Sequence, residues 1–193
     1  VEVIEAVTGQ TFAQAVRTRF FDHLHMDNTF IRGFEDIPNG YVEGTAQCDS
    51  FPETVIAFVA TAYGAECQQG RLATADLPRT ALETLGLGAD GVITNAADLI
   101  RWSNYLFKDS DLGAMMQPVE PDATYGLGLS LGQSMLGAAY GHAGGGADGE
   151  ARLWYFPERD ITFVAFANGI GSPGLGRLAA QVYVYVDQAG LAN

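Results

Sequence analysis

From Tyr125 onward the sequence changes its period. "YGLGLSL", "AAYGHAG", "ARLWYF" and "ITFVAFAN" are four short apolar or alternating runs separated by Gly, Asp and a Pro-Glu-Arg-Asp turn. Strands that follow one another with connections this short pair antiparallel. The flanking segments supply helices to pack on such a sheet. Upstream, "TFAQAVRTRFFDHL" offers Thr11 as an N-cap with Gln14 three positions on, and Phe12, Val16 and Phe20 share one face. "NAADLIRWSNYLF" repeats the design: Asn95 is the cap, Asp98 stands third, and Leu99, Trp102, Leu106 and Phe107 turn inward. Pro173 opens a last helix to about Asp187 carrying Leu175, Leu178, Ala179 and Val182, although its "VYVYV" end suits a strand as well. Residues 28 to 93 are less patterned, with turn signals in "IPNGYVEG" and "LGLGADGV" and an apolar stretch over 54 to 65. The expected architecture is one α+β domain over 1–193: helix and loop over 1–107, antiparallel strands over 125–168 and a closing helix over 173–188.

Charge excludes one class of partner. With ten Lys and Arg against 23 Asp and Glu, the formal charge is −13, which repels nucleic acid and anionic membrane surfaces. The longest apolar run, 54 to 65, is too short to span a bilayer. The chain opens in "VEVIEAVTG", which reads as the end of a helix stopped by Gly9; with no initiator Met and no signal peptide it reads as a fragment or a processed product. Cys48 and Cys67 lie 19 positions apart with no CxxC or Cys/His spacing, so zinc and thioredoxin-like redox chemistry are set aside. A disulfide in an exported protein and two unrelated thiols both stay open.

Two motifs look catalytic and are weaker than they look. Residues 128 to 132 place G-x-S-x-G around Ser130, but a nucleophile elbow needs a strand, a sharp turn and a helix immediately after. Leu127, Leu129 and Leu131 alternate with small residues straight through Ser130, which predicts a serine inside a strand, and "GQSMLGAAYGHAGGG" after it is turn and strand material. No Asp or Glu lies between Ser130 and His142, the last histidine, so the elbow order of Ser, acid and His fails. Gly144, Gly146 and Gly149 in "GHAGGGADG" satisfy G-x-G-x-x-G, yet that fingerprint must open a helix and here it opens the strand "ARLWYF". A glycine-rich strand edge has another use: its N–H groups meet a substrate without interference from a Cβ.

Read together, these segments resemble the serine β-lactamase-like superfamily: class C β-lactamases, D-Ala-D-Ala carboxypeptidases (penicillin-binding proteins) and β-lactamase-fold esterases. "IEAVTGQTFAQAVRTRFFDHLHMDNTF" is similar to the family's helix pair and its "PLGM-x-x-T" turn, with His23 and His25 in place of Pro and Gly. "GADGVITNAADLIRWSNYLF" resembles the segment that runs Gly-Gly, a hydrophobic residue, Ser or Thr, then Asp, and "YGLGLSL" with "YGHAGGGADGEARLWYFPERDITFVAFAN" resembles the closing strands. The resemblance covers most of the chain in the right order and is weakest over 45 to 80. It implies a β-lactamase/transpeptidase-like α+β fold, incomplete at the N-terminus. It also implies that the family's K-T-G or H-x-G strand motif falls on His142, Ala143 and Gly144. His142 would then help hold a substrate carboxylate or the proton network, and the N–H of Gly145 would form half of an oxyanion hole. A histidine at this place leans toward esterase or carboxypeptidase over true β-lactamase.

The family's other two motifs are missing. Its nucleophile is the serine of S-x-x-K, aided by Y-x-N, but Lys108 is the only lysine, Tyr105 stands three residues before it, and neither a serine nor a tyrosine has Asn two places later. In family order both motifs precede the helix at which this chain begins. Val1 excludes an N-terminal nucleophile. "DHLHMD", with Asp22, His23, His25 and Asp27, matches a family turn and lacks a distant third ligand, so no metal is expected there, and no organic cofactor anywhere. The reading is therefore the C-terminal part of a serine acyl hydrolase acting on a small ester, β-lactam or D-Ala peptide. Three expectations accompany it: exposed apolar surface, a missing N-terminal half or self-association to cover it, and a periplasmic or extracellular location. The alternatives are a β-lactamase-like binding module without a nucleophile, or a self-contained esterase using Ser130.

Overall fold

A computed structural model describes residues 1–38, 40–42, 44–76, 88–109, 112–120, 123–145, 149–169 and 174–191. These form two compact units: Val1–Asp98 with Gly145–Gly149 and Asn168–Gly171, and Leu99–Gly144 with Glu150–Ala167 and Ser172–Asn193.

In the first unit, helix α1 (Glu2–Thr8) ends on Gly9, whose φ of 65° is the left-handed cap that glycine adopts without a Cβ penalty. Thr11 and Gln14 then form the expected capping box at the start of α2 (Phe12–Val16), and the helix widens into a π-helical turn over Arg17–Phe21. Arg17 lies over the rings of Phe21 and Phe30 at 5.5 Å and donates to the carboxylate of Glu35 and to the Thr29 carbonyl. Glu35, the leading cause, holds the Arg17 pKa above its ordinary value. Two antiparallel pairs follow, β1 (Phe30–Ile31) with β4 (Val92–Ile93) and β2 (Thr45–Gln47) with β3 (Arg71–Ala73).

The apolar stretch over 54 to 65 is helical: α3 (Glu53–Tyr63) packs Val59 and Ile56 against Ala65, Leu72 and Cys48. Cys48 and Cys67 are joined in a disulfide across 19 residues, which resolves the open question of their state. Closing a loop of that size stabilises a fold by about 2–4 kcal/mol, chiefly by restricting the unfolded chain. This small apolar cluster is therefore cross-linked as well as packed.

The second unit is the expected meander. Strands β5 (Ser130–Ser134), β6 (Gly137–Gly145), β7 (Glu150–Phe156) and β8 (Ile161–Ala167) lie side by side in chain order. Register alternates their side chains between two faces. The pairs Trp154↔Phe163 and Phe156↔Ile161 meet the C-terminal helix α5 (Gly174–Gln188), whose Tyr183 and Val186 close a core with Leu136 and Ala139. "VYVYV" is thus helical: Tyr183 and Val186, three apart, share the buried side while Val184 and Tyr185 are exposed. Pro173 lies outside the described residues.

The opposite face carries Tyr155 and Thr162, which face one another across β7 and β8. Helix α4 (Ala96–Asn104) and its π-helical extension Tyr105–Asp109 pack there. Ser103 bonds Thr162 at 3.0 Å, and Phe107 stacks on Tyr155 with centroids 4.9 Å apart.

Candidate active site

The candidate residues lie at the end of β6, and glycine lets that strand come in close. A Cβ at Gly141 would stand 2.0 Å from the carbonyl oxygen of Leu153 and 2.9 Å from the Trp154 Cα. Both are backbone atoms of β7, so neither can swing away. Gly141→Ala is accordingly expected to cost about 1–3 kcal/mol or more and to shift His142 with the strand, read as a lower unfolding midpoint and displaced His142 resonances. Gly144 and Gly145 are different. A Cβ at Gly144 would meet only the Ala151 Cβ at 3.9 Å, and one at Gly145 would meet nothing within 4 Å among the described residues. Packing does not require these two glycines, and both are exposed, so their backbone is open to an approaching group.

His142 is exposed, and both of its ring nitrogens are engaged. Nδ1 lies 2.6 Å from the carbonyl oxygen of Ala143, and a carbonyl only accepts, so Nδ1 is the donor. In the neutral ring Nε2 is then the acceptor, and the Tyr125 hydroxyl donates to it at 3.0 Å. The two rings meet edge to face, with centroids 5.7 Å apart. The sequence reading missed Tyr125 because it placed the residue in a strand. The signal available was its place, heading a run of alternating glycines just before the G-H-x-G strand.

That strand assignment is corrected here. Strand β5 begins at Ser130 instead of running through it. Residues 124 to 129 double back: Gly126 donates to the Leu129 carbonyl at 2.8 Å, Tyr125 bridges to Ser130, and Gly128 has a φ of 81°. The reversal is tight because Gly126 lies against residues 115 to 117, where a Cβ would be 2.1 Å from the Met115 carbonyl oxygen. The alternation of leucine and glycine is the period of this loop, not of a strand. Ser130 is followed by strand, with no helix, and neither nitrogen of His142 is bonded to it. The elbow geometry is absent at Ser130.

The other residues singled out in the sequence take structural places. Lys108 pairs with Asp160 at 2.5 Å and lies over the Tyr155 ring. That hydrogen bond raises the Lys108 pKa and lowers that of Asp160, yet the pair is exposed and adds little to stability. His23 and His25 are exposed, and His25 holds a φ of 53°, the backbone state that explains a glycine at this place in the family turn. Gly146 of the glycine-rich fingerprint lies outside the described residues.

Asp98 is fully buried. Its Oδ2 accepts the Asn28 backbone N–H at 2.8 Å and the Thr29 hydroxyl at 3.0 Å, and Thr29 in turn bonds Thr94 at 2.7 Å. The Asp98 backbone N–H is capped by Asn95 at 2.8 Å, as the sequence predicted. Thus the "M-x-x-T" turn and the helix-opening Asp are two halves of one buried network.

Solved structures similar to this chain share its fold. D-amino acid amidase from Ochrobactrum anthropi SV3, complexed with L-phenylalanine, superposes with a TM-score of 0.76 at 17% identity, covering 97% of this chain and 56% of that one. A penicillin binding protein from Bacillus halodurans gives a TM-score of 0.70 at 17% identity, covering 94% and 51%. D-stereospecific amidohydrolase from Streptomyces sp. gives 0.57 at 20% identity, covering 86% and 46%. The chain therefore spans about half the length of these relatives. No curated protein sequence matches it. The family model described as Beta-lactamase matches residues 2–187, and with nearly the whole chain under that match it belongs to the Beta-lactamase family.

Proposed function

We propose that this chain is the C-terminal part of a serine acyl hydrolase, supplying the H-x-G strand and one oxyanion-hole donor to a serine outside residues 1–193. The observation that carries the reading is the end of β6. His142 is held there by Tyr125 and Ala143, beside two glycines that packing among the described residues does not require. In the proposed mechanism the Gly145 N–H donates to the oxygen on which charge develops as the acyl carbon becomes tetrahedral. His142, through Nε2, holds or relays a proton near the substrate's polar end. A displaced alcohol or amine leaves, and water completes hydrolysis of the acyl-serine. The fold relatives include an amidase and a penicillin binding protein, so amides of D-amino acids join esters, β-lactams and D-Ala peptides as the substrate class.

Unmet groups support a covering partner, either an N-terminal half or a second copy. The outer side of β8, "ITFVAFA", pairs with no strand among the described residues and carries no charge to guard it. Among the described residues Arg152 Nε is buried without a hydrogen-bond partner, in a cavity of about 250 Å³ between the sheet and α5. The disulfide supports an exported, oxidising location.

The second reading is a non-catalytic binding module, favoured by a His142 whose polar atoms are both engaged within the chain. Turnover separates the two. The intact gene product should hydrolyse an ester or D-amino acid amide, and His142→Ala should lower kcat/KM by about 10²-fold or more. Absence of hydrolysis across esters, amides, penicillins and D-Ala peptides would leave the binding module.

A further inference from the structure

We infer that Tyr125 is a positioning residue for His142: its hydroxyl reinforces the Nδ1–H form that the Ala143 carbonyl sets and fixes which nitrogen meets a substrate. The inference rests on the reading of His142 as a site residue, but its geometry stands by itself. A neutral imidazole carries one N–H and one lone pair, and the partner of each nitrogen decides which is which. On one side the Ala143 carbonyl, 2.6 Å from Nδ1, accepts only. On the other, the Tyr125 hydroxyl is 3.0 Å from Nε2; a phenol donates or accepts, and with the proton on Nδ1 it is the donor. The carbonyl sets the tautomer, and the phenol, which donates more strongly than it accepts, reinforces it.

The edge-to-face contact holds the ring plane, and the backward loop over 124 to 129 holds Tyr125 in turn. Gly126 is what allows this loop to sit so close to the Met115 and Gln117 carbonyls. Consequently the Nδ1–H is spent on the strand's own backbone, and Nε2 is the nitrogen left to exchange its tyrosine partner for a substrate group. In that state His142 offers a lone pair at Nε2. The displaced Tyr125 hydroxyl oxygen offers lone pairs of its own. A hydrogen-bond donor on the substrate, such as an amide N–H or an ammonium group, is the group these atoms take. The chain's formal charge of −13 favours the approach of such a cation over a carboxylate.

The test is the tautomer itself, read from the ring-nitrogen shifts of ¹⁵N-histidine protein. Only three histidines are present, so His142→Gln assigns the signals. The ratio is read at the alkaline end of a pH series, where the ring-nitrogen shifts no longer change with pH. The expected result is a mainly Nδ1–H His142, with Tyr125→Phe lowering the ratio of Nδ1–H to Nε2–H by roughly three- to tenfold, the worth of one net hydrogen bond. His23 and His25 should not respond.

A His142 that is mainly Nε2–H in the unaltered protein overturns the inference, and that spectrum requires no variant to fold. An unchanged ratio in a folded Tyr125→Phe protein overturns it as well. Neither reading uses turnover, so a chain that proves non-catalytic would refute the hydrolase proposal and leave the tautomer result intact. In an active parent, Tyr125→Phe should lower kcat/KM when His142 is present and add nothing in a His142→Asn background. Additive losses there would show that Tyr125 acts independently of His142.

Discussion

Phe156→Ala is expected to destabilise the protein by about 4 kcal/mol, within the range of about 3–5 kcal/mol for removing a buried aromatic ring. Phe156 is 1% exposed at the end of β7. It packs with Leu136 and Ala139 and meets the Tyr183 ring edge to face at a centroid distance of 5.0 Å. Truncation removes apolar area from the core and leaves a hole bounded by a sheet and a helix, two elements that cannot easily collapse into it. Tyr183 would lose this ring contact and keep the one it makes with Phe163 at 5.2 Å. Urea unfolding with an unchanged m value measures the loss directly. A loss below about 1 kcal/mol would mean that the sheet and α5 do not form one core.

Asp98→Ala is expected to cost about 3 kcal/mol, from the penalty of orphaning a buried hydroxyl and a part-buried backbone donor that had bonded a carboxylate. The Asn28 backbone N–H and the Thr29 hydroxyl lose their acceptor together, and Thr29 is itself fully buried. The hydroxyl can fall back on Thr94 at 2.7 Å, whereas the Asn28 backbone N–H loses the acceptor it has in Asp98. Asp98→Asn keeps one acceptor oxygen and should lose about half as much. Unfolding free energies for the two variants should therefore rank alanine below asparagine, and equal values would show that a carboxylate is not what holds the turn.

How far the sequence carried depends on whether local chemistry was enough. The capping box at Thr11, the cap at Asn95 and the meander from β5 to β8 were legible because their signals are short-range: a side chain reaching three residues on, or a period of two broken by turns. "VYVYV" was not legible, since the same letters satisfy a strand period and a helix that turns Tyr183 and Val186 inward. The loop over 124 to 129 was misread for a related reason. Alternating glycine and leucine imitates a strand, while the backbone actually reverses at Gly128 and slots against residues 115 to 117. The site was legible at His142, Gly144 and Gly145 only through resemblance to a family. Tyr125 became visible only once the chain was folded, because nothing local to "YGLG" announces a histidine 17 residues away. The Asp98 network shows the opposite case. Two motifs that look unrelated in sequence are joined through bonds spanning about 70 residues.

The central claim is that the acyl-accepting serine lies outside these 193 residues while this chain completes its site. The most direct test is to treat the intact gene product, and this chain alone, with a serine-acylating ester or penicillin probe, and then to locate the added mass by peptide mapping. The account predicts an adduct on the serine of an S-x-x-K segment preceding Val1, lost or slowed by His142→Ala. It predicts no adduct on Ser50, Ser103, Ser110, Ser130, Ser134 or Ser172, the six serines of this chain. An adduct on any of those six, Ser130 above all, would contradict it.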